Sequence, residues 1–268
     1  MTLKIATWNI NSVRLRIGLV ERVLNQLKPD VLCLQETKCP QGQFPSGPLK
    51  DLGYTHIAEF GQKGYHGVAI VSRKPFTAQS SKAFCGKEDC RHISVSLAGP
   101  KPITIHNLYV PSGGDEPDPK INDKFAHKLQ FIDELESWFA KGSVPKGQEG
   151  IVVGDLNVAP LEHDVWSHKD LLKVVSHTPI ETDGLLRVMK AGKWVDLMRQ
   201  HTPASEKLYT WWSYRAKDWA LANRGRRLDH IWSTPGLSPA CKDITILRET
   251  RGWTQTSDHV PVMATFAL

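Results

Sequence analysis

The chain has 268 residues, 40% hydrophobic and 23% charged, enough to bury a sizeable core and too apolar for wholesale disorder. Lys and Arg outnumber Asp and Glu by 34 to 28, and the resulting charge of +6 suits a polyanionic partner better than a cationic one. Five cysteines without a CxxC pair argue against a disulfide framework or a zinc site. The first residues lack the charged and apolar regions of a signal peptide, and no run approaches the roughly 20 apolar residues of a membrane span. A cytoplasmic protein with reduced thiols is expected.

Short apolar runs at 3–10, 31–35, 67–72, 93–97, 103–110 and 151–154 are predicted strands, followed by 208–213, 228–233, 243–247 and 260–266. Two segments have helical period instead. Leu19, Val20, Val23, Leu24 and Leu27 share one face between Arg14 and Lys28. Phe125, Leu129, Ile132, Leu135 and Phe139 form a second stripe. Both stripes are expected to pack into the core. The stretches 111–123 and 142–150 are expected surface loops. Strands interleaved with a few helices, without a linker or repeat, predict one α/β domain over residues 1–268 with packed sheets.

Polar residues recur where these strands end. The first finishes Trp8-Asn9-Ile10-Asn11 and the second Leu34-Gln35-Glu36-Thr37-Lys38. The strand at 151 runs into Gly154-Asp155-Leu156-Asn157; later come Arg227-Leu228-Asp229-His230 and Ser257-Asp258-His259. Each alone reads as a turn-forming or solvated residue. Together they place carboxylates, amides and an imidazole where one pocket can collect them.

With Gly61-Gln62-Lys63-Gly64 and Tyr109-Val110-Pro111, this ordered set resembles the exonuclease III family of abasic-site endonucleases, from residue 8 to residue 259. The resemblance implies a four-layered α/β sandwich, two packed mixed sheets flanked by helices, related to deoxyribonuclease I and the inositol-polyphosphate phosphatases. It implies hydrolysis of the DNA backbone 5′ to abasic sites, together with 3′-5′ exonuclease and 3′-end-trimming work. The expected substrate is double-stranded DNA with abasic sites or 3′ ends, the expected cofactor Mg²⁺ with Mn²⁺ as substitute, and the expected state a monomer. No membrane partner is expected.

The chemistry of such a reaction suits these residue types, because an attacking water must be activated and charge on phosphoryl oxygens stabilised. A hard cation prefers oxygen ligands. By resemblance Glu36 is the first metal ligand, with Asn11 and Asp258 as outer or alternative ones. Asp155 is the expected base, oriented by Asn157. Asp229 is expected to orient His259, which serves either as an imidazolium or as the base itself. Asn9 and Tyr109 are expected to donate to phosphate or to metal-bound water.

Arg14, Lys38, Gln62, Lys63 and Tyr65 follow strand ends and are expected along the DNA backbone. Trp211 and Leu228 are expected to line a tight apolar pocket for the flipped abasic sugar, with Trp212 beside it. Arg226 stands where relatives that cut strictly at abasic sites often carry an aromatic residue, and is expected to contact phosphate or a base. Two other readings remain: a phosphoesterase acting on phosphoinositides or sphingomyelin, and a DNA-binding module without activity.

Overall fold

The computed structural model describes residues 2–99 and 102–268. One sheet contains β1 (Thr2–Asn9), β2 (Val31–Gln35), β3 (His56–Phe60), β4 (Val68–Ser72), β13 (Cys241–Ile246) and β14 (Val262–Ala267), in the order β13-β14-β1-β2-β4-β3. The other holds β5 (Phe76–Ser81), β6 (His92–Leu97), β7 (Ile103–Tyr109), β8 (Glu149–Asp155), β9 (Val195–Asp196) and β12 (Asp229–Ser233), in the order β5-β6-β7-β8-β12-β9. A ribbon of β10 (Trp211–Trp212) and β11 (Gly225–Arg226) stands apart. The helices are α1 (Val13–Leu27), α2 (Ser46–Asp51), α3 (Asp123–Ala140), α4 (His168–Leu171), α5 (Pro179–Ala191), α6 (Leu197–His201) and α7 (Trp219–Ala222).

The two sheets share one plan. Each has a central parallel pair, β1/β2 in one and β7/β8 in the other, joined through a crossover helix, α1 or α3. Antiparallel strands flank each pair, β14 and β4 in the first sheet, β12 and β6 in the second. Strands buried on both faces read as continuous apolar runs, and β1 and β2 are such strands. Alternation sends Leu3, Ile5, Val31 and Cys33 into the layer between the sheets, with Ile105, Val153 and Ile231 opposite. It sends Ala6, Trp8, Leu32 and Leu34 outward against α1. On the far side α3 and α5 cover Leu108, Val152 and Trp232. The result is helix on sheet on sheet on helix, the four layers that the resemblance implied.

Several elements differ from the sequence expectation. The predicted strand at 208–213 shrinks to Trp211–Trp212, because Leu208 and Tyr209 instead turn into the core. In α3 the expected stripe slips at one place, where Lys128 is buried and Leu129 is half-exposed. The strands β3 and β5 and the helix α5 were not anticipated. α5 carries a capping box of Thr178 and Glu181 with Pro in its first turn, so its start was written locally.

A polar bridge ties the sheets together beneath the site. Asn107 of β7 donates to the carbonyls of Leu34 at 3.0 Å and Ala69 at 2.9 Å, and accepts from Gln35 Nε2 at 2.7 Å. The buried Asn107 amide, satisfied at both ends, fixes the register of the two sheets.

Candidate active site

The carboxyl ends of both parallel pairs open on the same edge, where open α/β sheets commonly place their ligands. Asn9 ends β1, Glu36 follows β2, Tyr109 ends β7 and Asp155 ends β8. Antiparallel pairing sets Asp229 of β12 directly opposite Asp155. His259 precedes β14, held by Trp8 Nε1 donating to its carbonyl at 3.0 Å. The connecting backbone is constrained as well: Asn11, Glu36, Lys38 and Asn157 adopt φ between 48° and 53°. Non-glycine residues enter that left-handed region at a cost, and such residues cluster at functional sites.

Asp155 is 1% exposed and fully engaged. Asn9 Nδ2 donates to its Oδ2 at 2.8 Å and Asn157 Nδ2 at 3.2 Å, while the Asn157 backbone donates to Oδ1 at 3.0 Å. Burial is the main force raising its pKa to about 7, and the charges of Asp229 and Glu36 add to it against the opposing pull of His259. His259 Nδ1 donates to Asp229 Oδ2 at 2.8 Å, and its Nε2 lies 3.6 Å from Asp155 Oδ2. Burial disfavours the imidazolium here, yet Asp229 and Asp155 outweigh it and push the pKa up to about 10. Ser257, to which no separate role was given, pins this turn: its Oγ donates to the Asn9 carbonyl at 2.6 Å and accepts from the His259 backbone at 3.1 Å. Its only sequence signal was its place in Ser-Asp-His.

Glu36 forms the other flank. Asn9 Nδ2 donates to its Oε1 at 2.9 Å. Its burial is more than offset by Lys38, Asn9 and His259, which hold the carboxyl below its ordinary pKa. Tyr109 is 7% exposed; burial, with Glu36 and Asp155 nearby, raises its hydroxyl well above the usual tyrosine range. Arg91 lies over its ring at 4.8 Å.

Two groupings have ligand character. Asp155, Asp229 and His259 place one atom each within 4.8 Å of one another, but a protonated imidazole has no lone pair for a metal. Glu36 Oε2 and Asn11 Oδ1 instead already share a cation, the Lys38 ammonium, at 3.0 and 2.6 Å. That all-oxygen pair suits a hard divalent ion. Asp258 lines the same cleft, with Oδ2 accepting from Trp211 Nε1 at 2.8 Å.

A cavity of about 730 Å³ extends from Glu36, Tyr109, Asp155 and His259 to a wall of Trp166, Leu171, Val174, Trp211 and Leu228. Its size lies within the range of clefts that take whole ligands, and exposed Arg215 and Arg224 border it. Trp166, Leu171 and Val174 were not singled out in the sequence. Trp212, expected beside the pocket, is 2% exposed and packs with Tyr209 and Val260 beneath it. Arg226 lies over Trp211 at 5.3 Å within the cavity lining. Arg14, Lys63 and Tyr65 are exposed and Gln62 half-exposed, and none of them lines the cavity. Gln62 contacts His66 at 3.0 Å, and His66 contacts Arg91 at 2.9 Å, linking this loop to Tyr109.

An acid–amide–imidazole cluster at the carboxyl edge of a two-sheet sandwich, beside a cation-binding carboxylate, defines a phosphoesterase-type centre. Residues 6–259 match the Endonuclease/Exonuclease/phosphatase family. Exodeoxyribonuclease III of Haemophilus influenzae is 30% identical over 273 residues, covering 98% of this chain and all (100%) of that protein. An AP endonuclease from Archaeoglobus fulgidus superposes with a TM-score of 0.90 at 34% identity, over 99% of this chain and 100% of that one. A 3′ phosphatase from Neisseria bound to a product DNA hairpin gives 0.89 at 29% identity, over 99% and 100%. The chain belongs to the Endonuclease/Exonuclease/phosphatase family, on its exodeoxyribonuclease III branch.

Proposed function

We propose that this protein hydrolyses the DNA backbone on the 5′ side of abasic sites and trims 3′ ends, using a divalent cation of the Mg²⁺ class. The observation that carries this reading is the buried cluster itself: His259 is held by Asp229 at 2.8 Å and faces Asp155 at 3.6 Å, its proton favoured by both carboxylates while burial raises Asp155, in the lining of a cavity that also has an apolar wall. Titratable pairs whose environments differ in this way divide acid and base roles. The similarity to an exodeoxyribonuclease III, an AP endonuclease and a DNA-bound 3′ phosphatase supports DNA as substrate.

Asp155 accepts a proton from the attacking water, its carboxylate held in place by Asn9 and Asn157. The water oxygen bonds to phosphorus as the bond from phosphorus to the 3′ oxygen breaks, and the departing 3′ alkoxide takes a proton from solvent, leaving a 3′ hydroxyl and a 5′ phosphate. His259, kept protonated by Asp229, faces the charge that builds on the phosphoryl oxygens. Tyr109, whose hydroxyl stays protonated, donates to the same oxygens. Glu36 with Asn11 would hold the cation, Asp258 acting from the outer side; when bound, it supplies Lewis-acid stabilisation of the phosphoryl group. Lys38 must then release its two oxygens.

The test uses a labelled duplex with one central abasic analogue, beside an intact duplex with a recessed 3′ end, each with Mg²⁺ or chelator. Metal-dependent incision at the lesion is expected, with shortening of the second substrate reporting 3′ trimming. No cleavage of either, with Mn²⁺ also tried, would sink the proposal.

A further inference from the structure

Two adjacent arginines are treated differently, and of the two only Arg226 lines the cavity. Arg227 is fully buried and fully paired: Nε and Nη2 donate to Asp164 at 2.7 and 2.8 Å, and Nη1 to Asp196 at 2.7 Å. Arg226 has no such partner. Its Nη1 donates to the Val175 carbonyl at 2.9 Å and to Ser176 Oγ at 2.7 Å. Among the described residues Nε and Nη2 donate to no protein acceptor, and no carboxylate lies within ion-pair distance. Burial lowers its pKa, with only Glu181 opposing. A guanidinium held over an apolar floor without an ion-pair partner is costly, and two fixed hydrogen bonds leave its remaining N–H edge set for an external anion.

Strand register gives its place relative to the reaction. Arg226 pairs with Trp211, and Trp211 bridges to His259. Two strand spacings of about 4.8 Å therefore separate the Arg226 and His259 backbones, about 10 Å in all. Phosphates on either side of a single nucleotide span that order of distance once the arginine side chain reaches back into the cavity. Trp211 lies between, with Leu228 beside it in the floor, where the sugar of that nucleotide belongs.

We propose that Arg226, backed by Ser176, is a second phosphate subsite that takes the phosphodiester on the 3′ side of the nucleotide seated in the cavity. The assignment rests on the proposed function, since it takes the scissile phosphate to lie at Asp155 and His259. It makes Arg226 a specificity residue: substrates that continue beyond the seated nucleotide gain a contact that a terminal nucleotide with a free 3′ hydroxyl lacks.

The test is a binding cycle in chelator, so that it does not depend on cleavage. Fluorescence anisotropy reads Kd for an abasic-analogue duplex and for the same duplex with a neutral methylphosphonate at the linkage 3′ to the analogue. The wild-type protein is expected to lose about tenfold on the neutral linkage, the scale of one charge-assisted contact. Arg226→Met is expected to lose about tenfold on ordinary DNA and nothing further on the methylphosphonate, and Arg226→Lys to recover part of the loss. A wild type indifferent to the neutral linkage overturns the proposal even if the variants misfold. So does an Arg226→Met protein as sensitive to that linkage as wild type. If the variant loses affinity equally for duplexes ending at the analogue with a 3′ hydroxyl, Arg226 touches something other than this phosphate, and the proposal falls. Failure of the cleavage assay above with this coupling intact would instead reject the hydrolytic reading alone.

Discussion

Asp229→Asn keeps the size of the side chain and removes its charge, and two groups should respond. Asp229 raises the pKa of His259 and also that of Asp155. In the wild type, kcat/KM should rise as Asp155 loses its proton near 7 and fall as His259 loses its own near 10. At pH 8 an imidazole with a pKa of about 10 is about 99% protonated, whereas one returned to about 6.5 is about 3% protonated. Loss of the proton alone therefore costs roughly 30-fold at that pH if the shift is lost entirely. Loss of imidazole orientation adds to this, and the equivalent change in a serine-protease triad costs about 10⁴, or ~5.5 kcal/mol of transition-state stabilisation. The assay is kcat/KM for an abasic duplex from pH 5 to 10.5 at saturating Mg²⁺, with duplex Kd measured in parallel. The alkaline limb, which reports His259, should move to lower pH while Kd changes little. An alkaline limb that stays in place with activity within about threefold of wild type would remove Asp229 and His259 from the proton inventory.

Other perturbations test other parts of the argument. Lys38→Met should tighten Mn²⁺ binding without DNA, read by calorimetry, because the ammonium no longer bridges Glu36 Oε2 and Asn11 Oδ1; weaker binding would place the cation elsewhere. Glu36→Gln should raise the Mg²⁺ concentration for half-maximal activity by about tenfold or more, and an unchanged titration would contradict its ligand role. Gly154→Ala puts a methyl 1.9 Å from the Leu108 carbonyl oxygen at a φ of +138°, so it should destabilise the fold by roughly 3 kcal/mol or more and displace Asp155; a wild-type melting temperature would refute the contact. Lys128→Met leaves the fully buried Glu181 without its ammonium partner at 2.5 Å and should cost about 3–5 kcal/mol. Adding Glu181→Gln, which removes the charge but keeps an acceptor for the Ser176 and Thr178 donors, should restore part of that, and a double variant no better than the single would show that the loss is not one of stranded charge.

The parts of this molecule that could be read from sequence are those where one physical cause leaves a local trace. Strands buried on both faces, such as Val31–Gln35 and Val68–Ser72, must be continuously apolar, and they were legible for that reason. The β5 edge strand, exposed along Thr77–Ser81, has no such requirement and left no pattern. The site was legible as a set of polar strand ends, because the end of a buried strand is where an ionisable group can reach the surface while held by the sheet. Its second layer was hidden. Lys128 donates to the carbonyls of Asn157 and Ser112 and pairs with Glu181, joining three chain segments whose proximity only the fold creates. In sequence it is a lysine interrupting an apolar stripe, which a periodicity argument assigns to solvent. The same holds for Arg226 and Arg227, neighbours of identical type: Asp164 and Asp196 neutralise one, and the other is left facing the cavity. Which arginine is structural and which awaits a ligand is a property of what the tertiary structure brings alongside, so identical side chains one residue apart come to do opposite work.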